Sequence, residues 1–470
     1  MNTRIAIALM GLLAACGAQE ATSTPRTNEE ACPGTPCTDA ALSRDRDAGP
    51  DGGARDKQSG DIHAEAPRTD ASARDSESGD AGMSDATAGS ADDDRTDRDP
   101  GAEAAPPALQ GYGTESSFGG GAGAETCVVT TTADTGPGTL RDCVTNRTGP
   151  VDNPTPRTVT FDVAGTITLR SDLRIRQPYL TIDGLSAPAP GITVAKEGNG
   201  EEGETVINTW RGMGTCGHDV LVQGLRFVGV WTRDTTAHSQ NAGLLSVDGE
   251  DLPGCLHHVA IWRNVYVNGQ DSAGTVWGSV TDMTFAYNLV LYCYHPQSIS
   301  HAPGGQAGQQ RERLSVHHNL YAYSTERIPN IRGNVWDSNI EQNIMHQWAA
   351  LGLGSGYALR FRCRGGGCPE RINLLDNHFT SASPAPSGAI VIEDGVDPAQ
   401  IFSAGNRVPP EETDDGTGAG PFARPAHADV TRFARDELAS RMLPYVGLPS
   451  RTEEEISVFE EVRTHLSSED

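Results

Sequence analysis

A short pattern of apolar and polar residues recurs along the middle of the chain, with an asparagine at the same position in each copy. In HVAIWRNVYV, residues 258–267, alternating apolar residues lead to a polar bend, then to the asparagine and a second apolar run. DVLVQGLRFV, residues 219–228, is a related copy in which we take Gly224 to replace the asparagine. The asparagines are Asn264, Asn288, Asn319, Asn343 and Asn377, at spacings of 24, 31, 24 and 34 residues.

Each copy predicts two short strands joined by a bend, and helical periodicity is absent from this part of the sequence. Such repeats stack in a right-handed parallel β-helix, whose coils contact only their neighbours. Stacked asparagines can hydrogen-bond to one another along the axis, which satisfies polar side chains that would otherwise be buried at a cost in free energy. An antiparallel β-sandwich is the alternative, but it gives no reason for asparagine to recur at one position. We therefore predict an all-β, right-handed parallel β-helix.

The ends of a solenoid must be covered, and three stretches predict helices that would pack there. GPGTLRDCV, residues 136–144, predicts a short capping helix with Thr139 at the N-cap and Asp142 at N3. Beyond Pro425, DVTRFARDELASRML and TEEEISVFEEVRTHL predict two amphipathic helices. We assign residues 111–424 to the β-helix domain and residues 425–470 to a C-terminal helical extension.

Residues 1–16 predict an export signal. A basic start precedes an apolar run from Ile5 to Leu13, and two alanines then lead to Cys16. The run is too short to span a bilayer and has the form of a secretory signal. The sequence LAAC also resembles a bacterial lipobox, in which Cys16 becomes the lipidated N-terminus and anchors the protein to a membrane of the cell envelope. A plain secretory signal with an incidental cysteine, and release outside the cell, is the alternative.

Residues 17–110 have the composition of a disordered acidic linker. They contain 21 Asp and Glu against 9 Lys and Arg, a single Ile, and no Val, Phe, Tyr or Trp. Such a stretch cannot bury enough apolar surface to offset the entropy that it would lose on ordering. The whole chain carries a formal net charge of −27, which argues against nucleic acid as a partner.

The ten cysteines fit an exported, oxidised protein. With Cys16 set aside, pairing of nearest neighbours gives four disulfides and leaves Cys293 free, although spacing alone does not fix the connectivity. No two cysteines have the CxxC spacing of a zinc site, so we do not expect the cysteines to bind zinc. The four pairs are Cys32–Cys37, Cys127–Cys143, Cys216–Cys255 and Cys363–Cys368.

Several segments resemble the family 1 polysaccharide lyases, the pectate lyase-like proteins. GPGTLRDCV, VTFDVAGTITLRSDLRI and YLTIDGLSAPAPGITV are similar to the opening coils of that family, and VLVQGLRFVGV continues the resemblance. VHHNLYAYSTERIPNIRGN, residues 316–334, is similar to the family's HHN…RxPxxR segment, its most specific mark. The resemblance covers about residues 124–445.

The resemblance implies β-elimination on a polyuronate such as pectate or pectin. A base removes the C5 proton, which is next to the uronate carboxylate, and the glycosidic bond at O4 then breaks. The family pattern places the base at Arg327 and a group that holds a substrate carboxylate at Arg332. Because a free arginine does not lose its proton near neutral pH, the role of Arg327 is taken from the resemblance alone. We expect His317 and His318 to be structural strand residues.

The resemblance also implies Ca²⁺, but this chain departs from the family's calcium pattern. Trp262 and Arg263 stand where the family has Asp and His, and Thr275 replaces one of two acidic residues that lie four apart. Asp271 alone remains, whereas calcium takes six to eight oxygen ligands. We expect Asp271 to be a calcium ligand, with the acidic stretch 248–251 as a further source of oxygens.

A second departure concerns a lysine that the family has near the stretch NLVLYCYHPQS, residues 288–298. No lysine is present here, and Tyr294, His295 and Gln297 occupy the region.

Two interpretations of these departures remain open. In the first, the protein is a metal-independent lyase in which Arg263 binds substrate in place of the cation, as an arginine does in the family's pectin lyase branch. In the second, the protein is a catalytically weak or inactive β-helix that binds polysaccharide at the cell surface. Aromatic residues such as Trp262, Tyr292 and Tyr323 would then stack on sugar rings, unless they simply fill the core. Both interpretations predict an acidic polysaccharide as partner, and we expect a monomer.

Overall fold

The computed structural model of the chain describes residues 107–197, 203–210, 212–231, 243–249, 252–300, 311–348, 356–363, 370–380, 388–408, 412–413 and 420–468. The predicted export signal with Cys16, and the predicted linker up to residue 106, lie outside these ranges. Within the ranges, no helix is long and apolar enough to cross a membrane.

Three β-sheets wind around one core, and neighbouring strands of a sheet come from successive coils. Sheet A has 11 strands: Glu125–Val129, Arg157–Phe161, Leu180–Asp183, Val220–Gln223, Val259–Trp262, Val280–Ala286, Arg311–His317, Val335–Trp336, Ser338–Glu341, Ile372–Leu375 and Ile401–Ala404. Sheet B has 10 strands: Gly165–Leu169, Ile192–Lys196, Leu225–Val228, Val265–Val267, Leu289–Leu291, Leu320–Ala322, Ile344–His346, His378–Thr380, Arg407–Val408 and Glu412–Thr413. Sheet C has 9 strands: Leu173–Ile175, Thr205–Trp210, Thr215–Cys216, Leu245–Gly249, Asp271–Gly278, His295–Ser300, Asn330–Arg332, Leu359–Arg362 and Ile390–Ile392.

Each coil adds one strand to each sheet in the order A, B, C, and strands of successive coils pair in parallel. Parallel connections of this kind are right-handed in nearly all proteins. Side chains at one position of successive coils stack inside the solenoid, where they bury apolar surface. In sheet A this column consists of Val159, Ile182, Val222, Ile261, Phe285, Val316, Ile340 and Leu374, all buried. The predicted parallel β-helix is therefore confirmed.

Buried asparagines form a continuous ladder at the bend between sheets A and B. Each side-chain amide nitrogen donates to the side-chain oxygen of the next asparagine at 2.9–3.3 Å. The same oxygen also accepts the backbone N–H of the preceding asparagine at 2.9–3.0 Å. The ladder contains the five predicted asparagines and Asn406, which we missed because only the two-residue strand Arg407–Val408 follows it.

The residue before each ladder asparagine adopts a left-handed backbone conformation, so the chain turns within two residues. Arg263, Tyr287, His318, Gln342 and Asp376 have φ between 51° and 56°. Gly224, with φ of 69°, takes this bend position, and Leu225 is in register with Asn264. The prediction that Gly224 replaces an asparagine is therefore wrong by one residue. Glycine is favoured at the bend because it adopts positive φ without steric cost.

The predicted capping helix is present as Leu140–Thr145. The Thr139 side-chain oxygen accepts the Asp142 backbone N–H at 3.1 Å, and the Asp142 carboxylate accepts the Gly138 N–H at 3.2 Å. These two bonds satisfy donors that the first helical turn would otherwise leave unpaired.

Residues 107–124 form a strap over sheet A that includes the 3₁₀ helix Tyr112–Thr114. The Tyr112 and Gly113 N–H groups donate to the hydroxyls of Ser315 and Thr284, at 3.1 and 3.0 Å. Gln110, which we assigned to the linker, exchanges hydrogen bonds with Thr431 at 2.9 and 3.2 Å.

The C-terminal residues pack against sheet B and form a second apolar core. They contain the α-helix Arg435–Glu437, the π-helix Leu438–Met442, the 3₁₀ helix Leu443–Tyr445 and the α-helix Glu453–Ser468. The first predicted helix is shorter than expected, because the Phe433 backbone exchanges two hydrogen bonds with the Gln342 side chain and stays extended. Further 3₁₀ turns are Gly184–Ser186, Pro398–Gln400 and Ala426–Ala428.

The disulfides follow the nearest-neighbour pairing where the structure describes both partners. Cys127–Cys143 and Cys216–Cys255 are bonded, and Cys293 is free and buried, as predicted. Cys363 is disulfide-bonded, while its predicted partner Cys368 and the predicted Cys32–Cys37 pair lie outside the described residues. Burial raises the pKa of the Cys293 thiol to about 12, so this thiol stays protonated and unreactive.

Candidate active site

The segment ERIPNIRG, residues 326–333, leads into sheet C and presents one side chain to solvent. From Ser324 to Gly333 every residue is buried except Arg327, whose side chain is 21% exposed. Arg327 has a φ of 65°, which turns the chain so that the next residue, Ile328, enters the core. Asn330–Arg332 then continues as a strand of sheet C. The backbone therefore presents Arg327 at the surface between two buried stretches.

Three side chains surround the Arg327 guanidinium and form with it a group that we call the Arg327 quartet. Arg327 Nη1 donates to Asp271 Oδ1 at 3.3 Å, and His295 Nδ1 lies 3.0 Å from the same oxygen. His295 Nε2 lies 3.5 Å from Glu326 Oε1, which is 3.9 Å from Arg327 Nε. Asp271 and His295 pair in register on neighbouring strands, so the coil repeat itself brings them together.

Two tyrosines border the quartet and remain neutral. Burial raises the pKa of both Tyr294 and Tyr357, and the negative charge of Glu326 raises it further. The Tyr294 ring lies 4.3 Å from the His295 ring. Arg360 stacks over the Tyr357 ring at 4.5 Å, and burial lowers the pKa of its guanidinium. The phenols are therefore hydrogen-bond donors beside a strongly charged group.

The outer face of sheet C carries a row of arginines beside the quartet. Ile331 and Phe361 point into the core, so Arg332, Arg360 and Arg362 lie on the outer face of the same strands. Arg332 is only 6% exposed, whereas the side chains of Arg360 and Arg362 are 11% and 33% exposed. Arg332 is in register with Arg362, and Glu393 lies 3.3 Å from Arg360 and 3.1 Å from Arg362. Guanidinium groups in a row suit a ligand that carries repeated carboxylates.

Arg263 does not join the quartet. It occupies the bend between sheets A and B, where its guanidinium lies 5.7 Å from the Trp262 ring. Burial lowers its pKa, and two side chains that interact with it electrostatically, Tyr445 and Arg451, both belong to the C-terminal segment. The C-terminal segment thus covers Arg263, while Arg327 lies where the chain enters sheet C.

The aromatic residues considered for sugar stacking form two groups, one against the C-terminal segment and one beside the quartet. Trp262, Tyr292 and Tyr323 pack against the second apolar core, and the Tyr323 hydroxyl donates to Glu461 of the C-terminal helix. Tyr294 is the half-buried aromatic residue beside the quartet, and the buried Trp231 lies against it with ring centroids 5.6 Å apart.

The described residues around Asp271 do not fit a calcium ion. Asp271 Oδ1 already faces the Arg327 and His295 side chains, and Thr275 offers a hydroxyl where a second carboxylate is expected. Asp248 lies on sheet C in register with Trp277, and residues 250 and 251 are outside the described ranges. Since calcium takes six to eight oxygens, the described residues at Asp271 leave the coordination of a calcium ion incomplete.

His317 and His318 are structural, as their burial and hydrogen bonds show. His317 Nε2 donates to the Gln110 carbonyl at 3.0 Å, so its Nδ1 accepts from His318 Nδ1 at 2.8 Å. The His318 ring stacks on Tyr287 with centroids 4.8 Å apart. Burial lowers the pKa of His317 to about 4, and both rings are neutral at neutral pH.

Sequence analysis named Arg327, Arg332 and Asp271 as site residues but gave no role to His295, Glu326, Arg360 or Arg362. The alternation LRFR in residues 359–362 was the available signal for the two arginines, because it places both on one face of a strand. The contact between Glu326 and His295 had no sequence signal, because it depends on how two coils stack.

Comparison with known proteins gives distant relatives of one kind. The chain is 26% identical over 277 residues to a probable pectate lyase C of Aspergillus flavus, and the match covers 58% of this chain and 54% of the relative. It is 27% identical over 252 residues to the probable pectate lyase C of Emericella nidulans, covering 53% of this chain and 49% of the relative. The chain spans about half the length of the curated relatives it matches. Pectate lyases are thus its homologues, and no protein-family model matches it.

Solved structures with a similar chain path include a Bacillus subtilis pectate lyase mutant, with a TM-score of 0.49 and 12% identity over 73% of this chain and 97% of that chain. The cedar pollen allergen jun a 1 has a TM-score of 0.47 and 15% identity, over 72% of this chain and 92% of that chain. A pectate lyase from Bacillus sp. N165 in complex with trigalacturonate has a TM-score of 0.42 and 14% identity, over 73% and 99% of the two chains.

Proposed function

We propose that the protein is a polysaccharide lyase that cleaves pectate- or pectin-like polygalacturonan by β-elimination at Arg327. The observation that carries the proposal is the exposure of Arg327 alone within a buried segment, next to a row of outward arginines on sheet C. Homology to pectate lyases supports the reaction class. The negative charges of an acidic polysaccharide would complement the positive charges of the arginine row.

In the proposed reaction neutral Arg327 takes the C5 proton of a bound uronate, and the electron pair moves toward the adjacent carboxylate. The pair then forms the C4–C5 double bond as the C4–O4 bond breaks, and the leaving oxygen takes a proton from water. Arg332 holds a substrate carboxylate, so its positive charge stabilises the enolate-like transition state. Because a free arginine side chain stays protonated near neutral pH, the reacting neutral guanidine is a minor species there. We therefore expect activity to rise in alkaline solution.

The cation next to the substrate carboxylate is proposed to be arginine. Arg332, Arg360 and Arg362 supply positive charge on sheet C without a metal, whereas the described residues at Asp271 do not fit calcium. The earlier alternative, Arg263 in that role, would require the C-terminal segment to move, because Arg263 lies beneath it.

A second candidate function is polysaccharide binding without efficient cleavage. It is favoured by the contacts of Arg327 with Asp271 and Glu326, which already occupy part of its guanidinium. The arginine row would then hold the polymer, and Arg327 would be one more contact.

Incubation of the full-length chain with polygalacturonate and with methylated pectin tests both proposals. Unsaturated uronide, followed by its ultraviolet absorbance, is measured with Ca²⁺ and with a chelator. Product that forms in chelator supports an arginine as the cation, and product only with Ca²⁺ contradicts that assignment. If the polymer binds but no unsaturated uronide forms at neutral or alkaline pH, the lyase proposal is rejected in favour of the binding function.

Export of the protein is part of the proposal. The disulfides Cys127–Cys143 and Cys216–Cys255 fit an oxidising compartment. Lipidation at Cys16, with residence in the bacterial cell envelope, stays a prediction, as does the monomeric state. Metabolic labelling with a radioactive fatty acid, compared between the wild type and Cys16→Ser, tests the anchor.

A further inference from the structure

Two histidine-containing segments lie side by side at the entrance to sheet A, away from the Arg327 quartet. The sequences are TCGHDV, residues 215–220, and GCLHHV, residues 254–259, which share the pattern C-x-H-(D/H)-V. The Cys216–Cys255 disulfide joins the two segments, with a Cα–Cα distance of 6.1 Å. Val220 pairs with Val259 in sheet A. The disulfide on one side and the strand pairing on the other fix the residues between them in register.

The side chains between these two fixed points form what we call the His218 cluster: His218, Asp219, His257 and His258. Ligand atoms of His218, Asp219 and His257 all lie within 4.8 Å of one another, and this is the one such group of three among the described residues. His218 Nδ1 lies 2.5 Å from Asp219 Oδ2, and the His218 and His257 rings stack with centroids 4.7 Å apart.

His258 contacts both Asp219 and His257. Its Nδ1 lies 3.2 Å from Asp219 Oδ1 and 3.1 Å from His257 Nδ1, so its single N–H there can donate to the carboxylate or to the imidazole. Donation to Asp219 leaves the lone pair on His257 Nδ1 available to a metal ion. The side chains of His218, Asp219 and His258 are 20%, 12% and 28% exposed, so solvent and ions reach the cluster from outside.

We propose that the His218 cluster binds a divalent transition-metal ion, with His218, Asp219 and His257 as ligands and His258 as the residue that positions Asp219. Two imidazoles and one carboxylate suit zinc and its neighbours, and imidazole disfavours calcium and magnesium. Tetrahedral zinc requires ligand atoms roughly 3.3 Å apart, given bonds of about 2.0–2.1 Å. The ligand atoms lie within 4.8 Å of one another, so the side chains would have to adjust to reach that spacing. One coordination position remains for water.

The metal would stabilise the two coils that contain Val220–Gln223 and Val259–Trp262, since it joins the same two segments as the disulfide. An ion that binds the folded chain and not the unfolded chain raises the melting temperature by an amount that grows with the logarithm of its concentration over Kd. The disulfide and the metal are thus independent cross-links of one pair of coils.

The proposal is tested by measuring the zinc affinity of the full-length chain in competition with a chromogenic chelator. We expect one Zn²⁺ per chain, with affinity at least about tenfold weaker in His257→Ala and in His218→Ala, because loss of an outer partner of a ligand alone costs 10- to 100-fold. His427→Ala is the control, since its imidazole pairs with Glu115 outside the cluster and zinc affinity should not change. Circular dichroism shows whether each variant is folded.

A second measurement needs no variant. Co²⁺ bound to the unmodified chain should give the visible absorption of a four-coordinate site, and Zn²⁺ should displace it and raise the melting temperature. Zinc affinity equal in the wild type and in folded His257→Ala, or Co²⁺ that gives no such spectrum, overturns the proposal.

Discussion

The Arg327 guanidinium touches two carboxylates, which hold it in place at the surface. Asp271 and Glu326 lie 3.3 and 3.9 Å from its nitrogens. His295 holds both carboxylates in place from the next coil, with its two ring nitrogens 3.0 and 3.5 Å from them. At this scale Arg327 is the reacting group and His295 is a positioning residue.

The pH dependence of the rate separates these two roles. If neutral arginine is the base, kcat rises with each pH unit from 7 to 10, because the fraction of neutral guanidine rises. His295→Gln should lower kcat about tenfold and leave this slope unchanged. The opposite result would be a wild-type rate that levels off above pH 7 and a His295→Gln rate that no longer depends on pH. That result would assign the base to the imidazole, whose ordinary pKa is about 6.5.

The ladder asparagines provide a residue-scale test of the fold. Asn319 is fully buried; its amide donates to the Phe285 carbonyl and to Asn343, and its side-chain oxygen accepts from Asn288. Asn319→Ala leaves several of these groups without partners, at about 1–3 kcal/mol each, so we expect unfolding in urea to become easier by at least about 3 kcal/mol. The exposed Asn153→Ala is the matched control. Equal midpoints for the two variants would show that the ladder does not stabilise the coils.

At the scale of elements, one ion pair joins the last helix to the solenoid. Arg226 Nε and Nη2 donate to the two Glu455 oxygens at 2.9 and 3.0 Å, and Glu455 is only 2% exposed. Glu455 also forms a capping box with Thr452, with bonds of 3.1 and 3.2 Å. The pair therefore fixes the start of the helix Glu453–Ser468 against sheet B, just after Tyr445 and Arg451, the neighbours of Arg263.

Removal of Glu455 should loosen the helix Glu453–Ser468 from sheet B. Glu455→Ala leaves Arg226 charged and largely buried, and breaking one side of a buried pair costs about 3–5 kcal/mol. Glu454→Ala, at an exposed position of the same helix, should change the free energy of unfolding by less than about 0.5 kcal/mol. Faster hydrogen exchange in residues 453–468 of Glu455→Ala alone is the expected result. Equal exchange in both variants would show that the apolar contacts hold the helix without the ion pair.

Much of this element-scale structure was predictable, because it follows from patterns within single segments. The recurring asparagine predicted the two-strand coil, and TLRD predicted the capping helix through a local N-cap. The bend residues Tyr287 and Gln342 gave no such signal, since their positive φ follows from the stacking of coils. The same reason applies to the quartet: Asp271 and His295 are 24 residues apart and meet only because the coil between them has that length.

The whole molecule should lose stability in acid because it buries neutral histidines. Burial lowers the pKa of His378 and of His317 to about 4, from an ordinary value of 6.5. The unfolded chain then takes up these protons near pH 6.5 and the folded chain only near pH 4, so stability is full above pH 6.5 and falls as the pH drops toward 4. Each histidine contributes about 3 kcal/mol over this range.

Urea unfolding at pH 7 and at pH 4.5 measures this loss, with His378→Gln as the test variant. The variant should lose less stability between the two pH values than the wild type, because one proton-linked group is gone. Identical losses in the two proteins would contradict the assignment of His378.

The central claim, elimination at Arg327, is tested most directly by one matched pair of variants. The full-length Arg327→Ala and Arg441→Ala chains are compared with the wild type in the formation of unsaturated uronide from polygalacturonate at alkaline pH. Arg441 lies on the exposed face of the C-terminal segment, so its replacement should leave the rate unchanged. We predict that Arg327→Ala lowers the rate at least about 100-fold, as loss of a general base does. Equal rates in the two variants, or no product from the folded wild type, would contradict the account.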